Sequence, residues 1–95
     1  MALKQDFAAQ VKAQTSIWQA QIKDYEEQVE HAGAKAKVNY KKAVVEMETK
    51  AEEGRKLFER VQAAKEAAWK DMQGGTQKAF VELQRGWADA LSRFR

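Results

Sequence analysis

The chain has 95 residues, no cysteine, no proline, 33% charged residues and a net charge of +3. Those figures exclude disulfides and thiolate metal sites, allow one domain at most, and leave a net charge too small to imply a nucleic-acid partner by itself. Ala, Glu, Lys, Gln and Arg dominate, so the composition predicts an all-α protein of long helices; much of the 44% apolar content is alanine, which predicts a thin stripe rather than a broad core.

Residues 1–11 contain Asp6 and Gln10 and no continuous apolar run, so no signal peptide is expected. The longest uncharged stretch, Ala13 to Ile22, is rich in Gln, Thr and Ser and far from a membrane span. A cytoplasmic protein is the expectation, with a membrane-peripheral location as the variant.

From the N-terminus the apolar positions follow a heptad. Val11, Trp18, Tyr25 and Ala32 fall on one position, and Ala8, Thr15, Ile22, Val29, Ala36 and Ala43 on the other. After residue 36 the spacing becomes eleven: Ala36, Met47, Phe58, Trp69, Phe80 and Leu91 form one series, and Val61, Met72, Leu83 and Phe94 a second. Leu57, Ala68, Ala79 and Ala90 form a third, and Gln62, Gln73 and Gln84 repeat likewise. Eleven residues in three turns is about 3.67 per turn, close to a straight helix.

This phase runs unchanged past Gly74-Gly75. It therefore predicts a continuous or bent helix there over a hairpin, although two interior glycines weaken the helix by about 1 kcal/mol each. The expected organisation is a single elongated helical domain over 1–95, with a helix over 3–73, a bend or turn at 73–76 and a helix over 76–94. Gly33 and Gly54 read as small-residue contacts rather than helix ends. A helix over 3–73 would be about 105 Å long and could not bury its stripe alone. The chain must fold back as a helical hairpin or share the stripe with other copies in a coiled coil or bundle.

The expected oligomer interface is Trp18, Ile22, Tyr25, Val29, Met47, Phe58, Val61, Trp69, Met72, Phe80, Leu83, Leu91 and Phe94. Charge follows in blocks: Asp24, Glu26, Glu27 and Glu30 are acidic, and Lys35, Lys37, Lys41 and Lys42 are basic with no acid between them. Blocks of this kind set register between paired helices, so Lys35, Lys37, Lys41, Lys42, Glu26, Glu27 and Glu30 are the expected register charges. The rival use of the stripe is a lipid surface, with Trp69, Phe80, Trp87, Leu91 and Phe94 in contact and Lys70, Lys78, Arg85, Arg93 and Arg95 on the cationic flank.

No reaction chemistry is legible. The single histidine, His31, has Glu27 one turn before it and Glu30 beside it, too few ligands for a structural or catalytic metal site. Ser16 and Ser92 lack a partnered base, and Gly74-Gly75-Thr76 lacks the lysine and strand of a phosphate-binding loop. The segment Lys35 to Lys42 interleaves lysines with Tyr40, but the flanking acids would repel a nucleic-acid backbone. No enzyme activity, cofactor, metal, small-molecule substrate or nucleic acid is expected; the expected partner is a second copy of the chain.

The outline formed by Tyr40, Lys41 and Lys42, then Trp69, Lys70, Asp71 and Met72, then Phe80, Glu82, Leu83 and Trp87 resembles a group of small bacterial coiled-coil proteins, some labelled stress-response proteins. The likeness covers roughly residues 17 to 94 and rests on generic motifs. Such proteins often carry a Ser-Gly pair shortly before the tryptophan, where this chain has Lys65-Glu66, a departure that predicts a longer unbroken helix there. The eleven-residue repeats are also similar to those of phasins and apolipoproteins. These resemblances imply a non-enzymatic helical protein, with a stress-related role from the first and lipid binding from the second.

Overall fold

The computed structural model describes residues 4–93. Three α-helices fill almost all of it: α1 (Lys4–Glu30), α2 (Ala34–Ala63) and α3 (Glu66–Ser92), with no strand among the described residues. They run up, down and up in a bundle of 52 × 18 × 17 Å. Folding the stripe twice upon itself lets each helix cover the apolar face of the other two, which a lone rod cannot do.

The first reversal falls where the heptad gives out. α1 closes with His31 N–H donating to Gln28 O and Ala32 N–H to Val29 O, both at 3.2 Å. Gly33 then adopts an extended conformation (φ −65°, ψ 160°) and its carbonyl accepts the Lys37 N–H at 2.8 Å. A methyl group at Gly33 would meet nothing within 4 Å, so this glycine acts through its low helix propensity and not through close packing.

The second reversal is a two-residue link, Ala64 (ψ 133°) and Lys65 (ψ 159°), both at ordinary negative φ. Ala64 N–H still closes α2 on Arg60 O and Val61 O, and Trp69 N–H opens α3 on Lys65 O. The Lys4 ammonium of α1 donates to Ala64 O at 2.6 Å, occupying a carbonyl that the end of α2 leaves without a helical partner.

These breaks correct the expected single helix over 3–73, which is two helices and the start of a third, and replace the long rod with a bundle half its length. α3 passes through Gly74 and Gly75 without interruption. Both glycines are exposed, and a methyl group on either would meet nothing within 4 Å. Gly54, in contrast, is a true contact: a Cβ there would lie 2.6 Å from Thr15 Oγ1 and 3.6 Å from the Trp18 ring.

The core is one cluster. Val11, Met47 and Val61 are its largest fully buried side chains, surrounded by Phe7, Trp18, Ile22, Val29, Val44, Leu57, Trp69, Phe80, Leu83 and Trp87. Burying a side chain of this kind contributes about 1.5–3 kcal/mol.

Candidate interaction surface

Most residues of the expected oligomer interface are packed within one chain. Trp18, Ile22, Val29, Met47, Val61, Trp69, Phe80 and Leu83 are buried in the intramolecular core, and Tyr25, Phe58, Met72 and Leu91 pack half-buried against it. Phe94 lies outside the described residues. Of the expected lipid-contact residues, Trp69, Phe80 and Trp87 are 4%, 8% and 6% exposed and Leu91 is half-buried. Two aromatic groups hold α1 to α3. The Phe7 ring lies 5.5 Å from Trp69 and 5.7 Å, edge-on, from Phe80, while Trp18 stacks on Trp87.

Phe7, also in the core, sits outside both heptad positions. It is four residues before Val11 and eleven before Trp18, and a search at helical rather than heptad spacing finds it. A three-helix bundle needs a wider stripe than a two-stranded seam, and Phe7 and Val44 widen it.

What remains on the surface is mostly charge. The acidic block closes α1 and the basic block opens α2, so the antiparallel reversal at Gly33 sets the register charges side by side in one molecule. Arg93, at the end of α3, pairs with Glu46, and Lys50 lies over Gly86, its Cε 2.6 Å from where a Cβ would stand. α3 therefore ends level with Glu46, and α2 from Ala34 onward projects about 18 Å past it at 1.5 Å per residue. The tip is built from two helices, one acidic and one basic.

The ion pairs among the described residues are Lys50–Glu53, Arg55–Glu52, Arg55–Glu59 and Arg93–Glu46. None joins Asp24, Glu26, Glu27 or Glu30 to Lys35, Lys37, Lys41 or Lys42. Glu26 faces another acid instead: burial, then a hydrogen bond and charge repulsion from Glu26, hold the Glu48 carboxyl above the usual carboxylate range. On the same helix Arg55 donates Nε–H to Glu52 at 3.0 Å and also pairs with Glu59. Its hydrogen bond holds Glu52 below the usual range.

Two large apolar side chains stand among the tip lysines. Val38 is 57% exposed and Val45 60%, seven residues apart on the outward face of α2. His31 is exposed at the reversal, and no group of three or more potential metal ligands occurs among the described residues. No helix among them is long and apolar enough to cross a membrane. No family model matches the chain, and no curated protein or solved structure matches it.

Proposed function

We propose that the protein is a non-catalytic structural protein that works by associating with further copies of itself. The observation that supports this is the two-helix tip: four lysines on one helix and four carboxylates on the next, beyond the end of α3, with no ion pair between the two sets. A second copy placed head to head offers each block its opposite, and opposed charge patches direct encounter and register more than they add affinity. A stress-related task is consistent with the resemblance to stress-response-labelled coiled-coil proteins and rests on that resemblance alone. The test is solution mass by light scattering across a wide concentration range, for the wild type and for Lys41→Glu/Lys42→Glu. Concentration-dependent association that weakens in the variant and in salt is expected. Association indifferent to both would remove the tip from the interface.

A second reading rests on Val38 and Val45. Two exposed valines flanked by Lys35, Lys41 and Lys42 form a small surface that suits an anionic lipid interface, with the apolar groups at the acyl boundary and the ammonium groups on headgroup phosphates. This surface replaces the aromatic face as the candidate lipid contact. Flotation with phosphatidylserine-containing vesicles should fall in Val38→Glu/Val45→Glu while helicity is retained. No flotation of the wild type would end this reading.

A further inference from the structure

The link between α2 and α3 has the wrong composition for a turn. Val61 to Ala68 reads Val-Gln-Ala-Ala-Lys-Glu-Ala-Ala, with no Gly, Pro, Asn, Asp, Ser or Thr. Alanine, lysine, glutamate and glutamine are among the strongest helix formers. The ends are built accordingly: Lys65 precedes α3 without a side-chain cap, and Ala64 follows α2 without the left-handed glycine that commonly closes a helix. Only the ψ angles of Ala64 and Lys65 depart from helix, since both φ values, −71° and −75°, already suit one. The first reversal differs, because it contains Gly33 and coincides with the change from heptad to eleven-residue spacing.

The repeat runs through this break. Leu57 and Ala68, Phe58 and Trp69, and Val61 and Met72 stand eleven apart across it, in phase with the series on either side. A permanent turn places no such constraint on the residues that flank it. A continuous helix does, because only preserved phase keeps the stripe on one face.

We infer that Ala64–Lys65 is a hinge through which two copies of this chain exchange α3. In the exchanged form α2 and α3 join into one helix from Ala34 to Ser92, and the α3 of each copy packs on the α1–α2 pair of the other. The inference needs the self-association proposed above only in needing a second copy. The contacts that hold α3 in the monomer, Trp18 on Trp87, Phe7 on Trp69 and Arg93 on Glu46, re-form between chains. Exchange of an identical element is a low-cost route to a closed dimer for that reason.

The register of the joined helices follows from the monomer. Lys50 lies against Gly86, with residue 68 midway between them, and Arg93 pairs with Glu46, with residues 69 and 70 about midway. Two joined helices that keep this register cross near Ala68, an exposed alanine in the monomer on the repeat position of Leu57 and Ala79. A small side chain there permits close approach, and the same register sets Lys65 of one copy opposite Asp71 of the other. In the monomer the break is held by Lys4, whose ammonium occupies the Ala64 carbonyl that a continuous helix would use for Ala68 N–H.

The test combines mass with distance. Lys65→Pro fits the monomer, because its φ is compatible and Ala64 already has the extended ψ that precedes proline, but it blocks a continuous helix. Lys4→Met removes the donor and keeps the aliphatic stem. The wild-type chain, doubly labelled and mixed with an excess of unlabelled chain, should form a dimer at high concentration in which spin labels at positions 35 and 92 of one chain stand about 85 Å apart at 1.5 Å per residue. Lys65→Pro should retain helicity and lose that dimer, and Lys4→Met should raise the association constant about a hundredfold, tenfold for the charged hydrogen bond that each of the two copies gives up. A dimer whose labels stay close, or one that Lys65→Pro leaves intact, overturns the exchange while self-association stands. A monomer at every concentration overturns both.

Discussion

Trp18 of α1 and Trp87 of α3 stack with ring centroids 5.0 Å apart and planes 12° from parallel, near the middle of the bundle. Both are almost wholly buried, at 2% and 6% exposure, so each supplies a large apolar area as well as a ring contact. Trp18→Ala should destabilise the fold by about 3–5 kcal/mol, the range for a large aromatic truncated in a core. A double-mutant cycle with Trp87→Ala should return a coupling of about 0.5–1.5 kcal/mol, measured by urea denaturation, with loss of the near-ultraviolet tryptophan signal in either single variant.

Gly54 and Thr15 set how closely α1 and α2 pack. Gly54→Ala places a methyl group 2.6 Å from Thr15 Oγ1, so overpacking should outweigh alanine's better helix propensity and destabilise by about 1–3 kcal/mol. Thr15 Oγ1 is buried without a hydrogen-bond partner, so its removal forfeits no bond. Thr15→Ala/Gly54→Ala should recover most of the loss, and thermal denaturation of the three variants checks the pattern.

Gly74 and Gly75 behave in the opposite way. Each is an exposed helix-interior glycine with open space where a Cβ would stand. Gly74→Ala and Gly75→Ala should each stabilise by about 1 kcal/mol, through higher helix propensity and a less disordered unfolded chain. Higher urea midpoints with unchanged slope are the expected reading. A hairpin at this position would be strained by the same changes and give lower midpoints.

The carboxyls of Glu48 and Glu52 are shifted in opposite directions, which gives them opposite pH signatures. Glu48 is raised by burial and by Glu26, so the folded state favours its protonated form; that contribution is complete below the ordinary carboxylate pKa and is lost as pH rises through the raised value. Glu48→Gln should therefore stabilise the protein at neutral pH and give a gain that shrinks as pH falls through the carboxylate range. Glu52 is lowered by Arg55, so its contribution is present above the ordinary carboxylate pKa and fades as pH falls through the lowered value. Glu52→Gln should lose stability at neutral pH and converge on the wild type in acid. Denaturation midpoints across the acid range separate the two.

The helices and most of the core were legible in the residues, because helix propensity and side-chain spacing are local. Trp18, Ile22, Val29, Met47, Val61, Trp69, Phe80 and Leu83 were placed on an apolar stripe by period alone, and all are buried. The preserved phase across Gly74-Gly75 likewise pointed to the helix that runs there. The partner of the stripe was not legible, since a stripe of this kind is satisfied equally by a second copy, a lipid surface or another part of its own chain. Position in the fold decided that.

The reversals were decided at the same level. Gly33 has a propensity that allows a break, and the chain breaks there; Gly74-Gly75 has it twice over and the helix continues, because the residues on both sides already lie against α1 and α2. Ala64-Lys65 has no such propensity, yet the chain turns there. The local preference of a few alanines is worth a few tenths to about 1 kcal/mol per residue. Turning lets α3 bury Trp69, Phe80, Leu83 and Trp87, each worth about 1.5–3 kcal/mol. Sequence by itself determined that the chain is helical and which face of each helix seeks cover; tertiary packing chose where the helices end, because the burial gained on folding back exceeds the local preference it overrides.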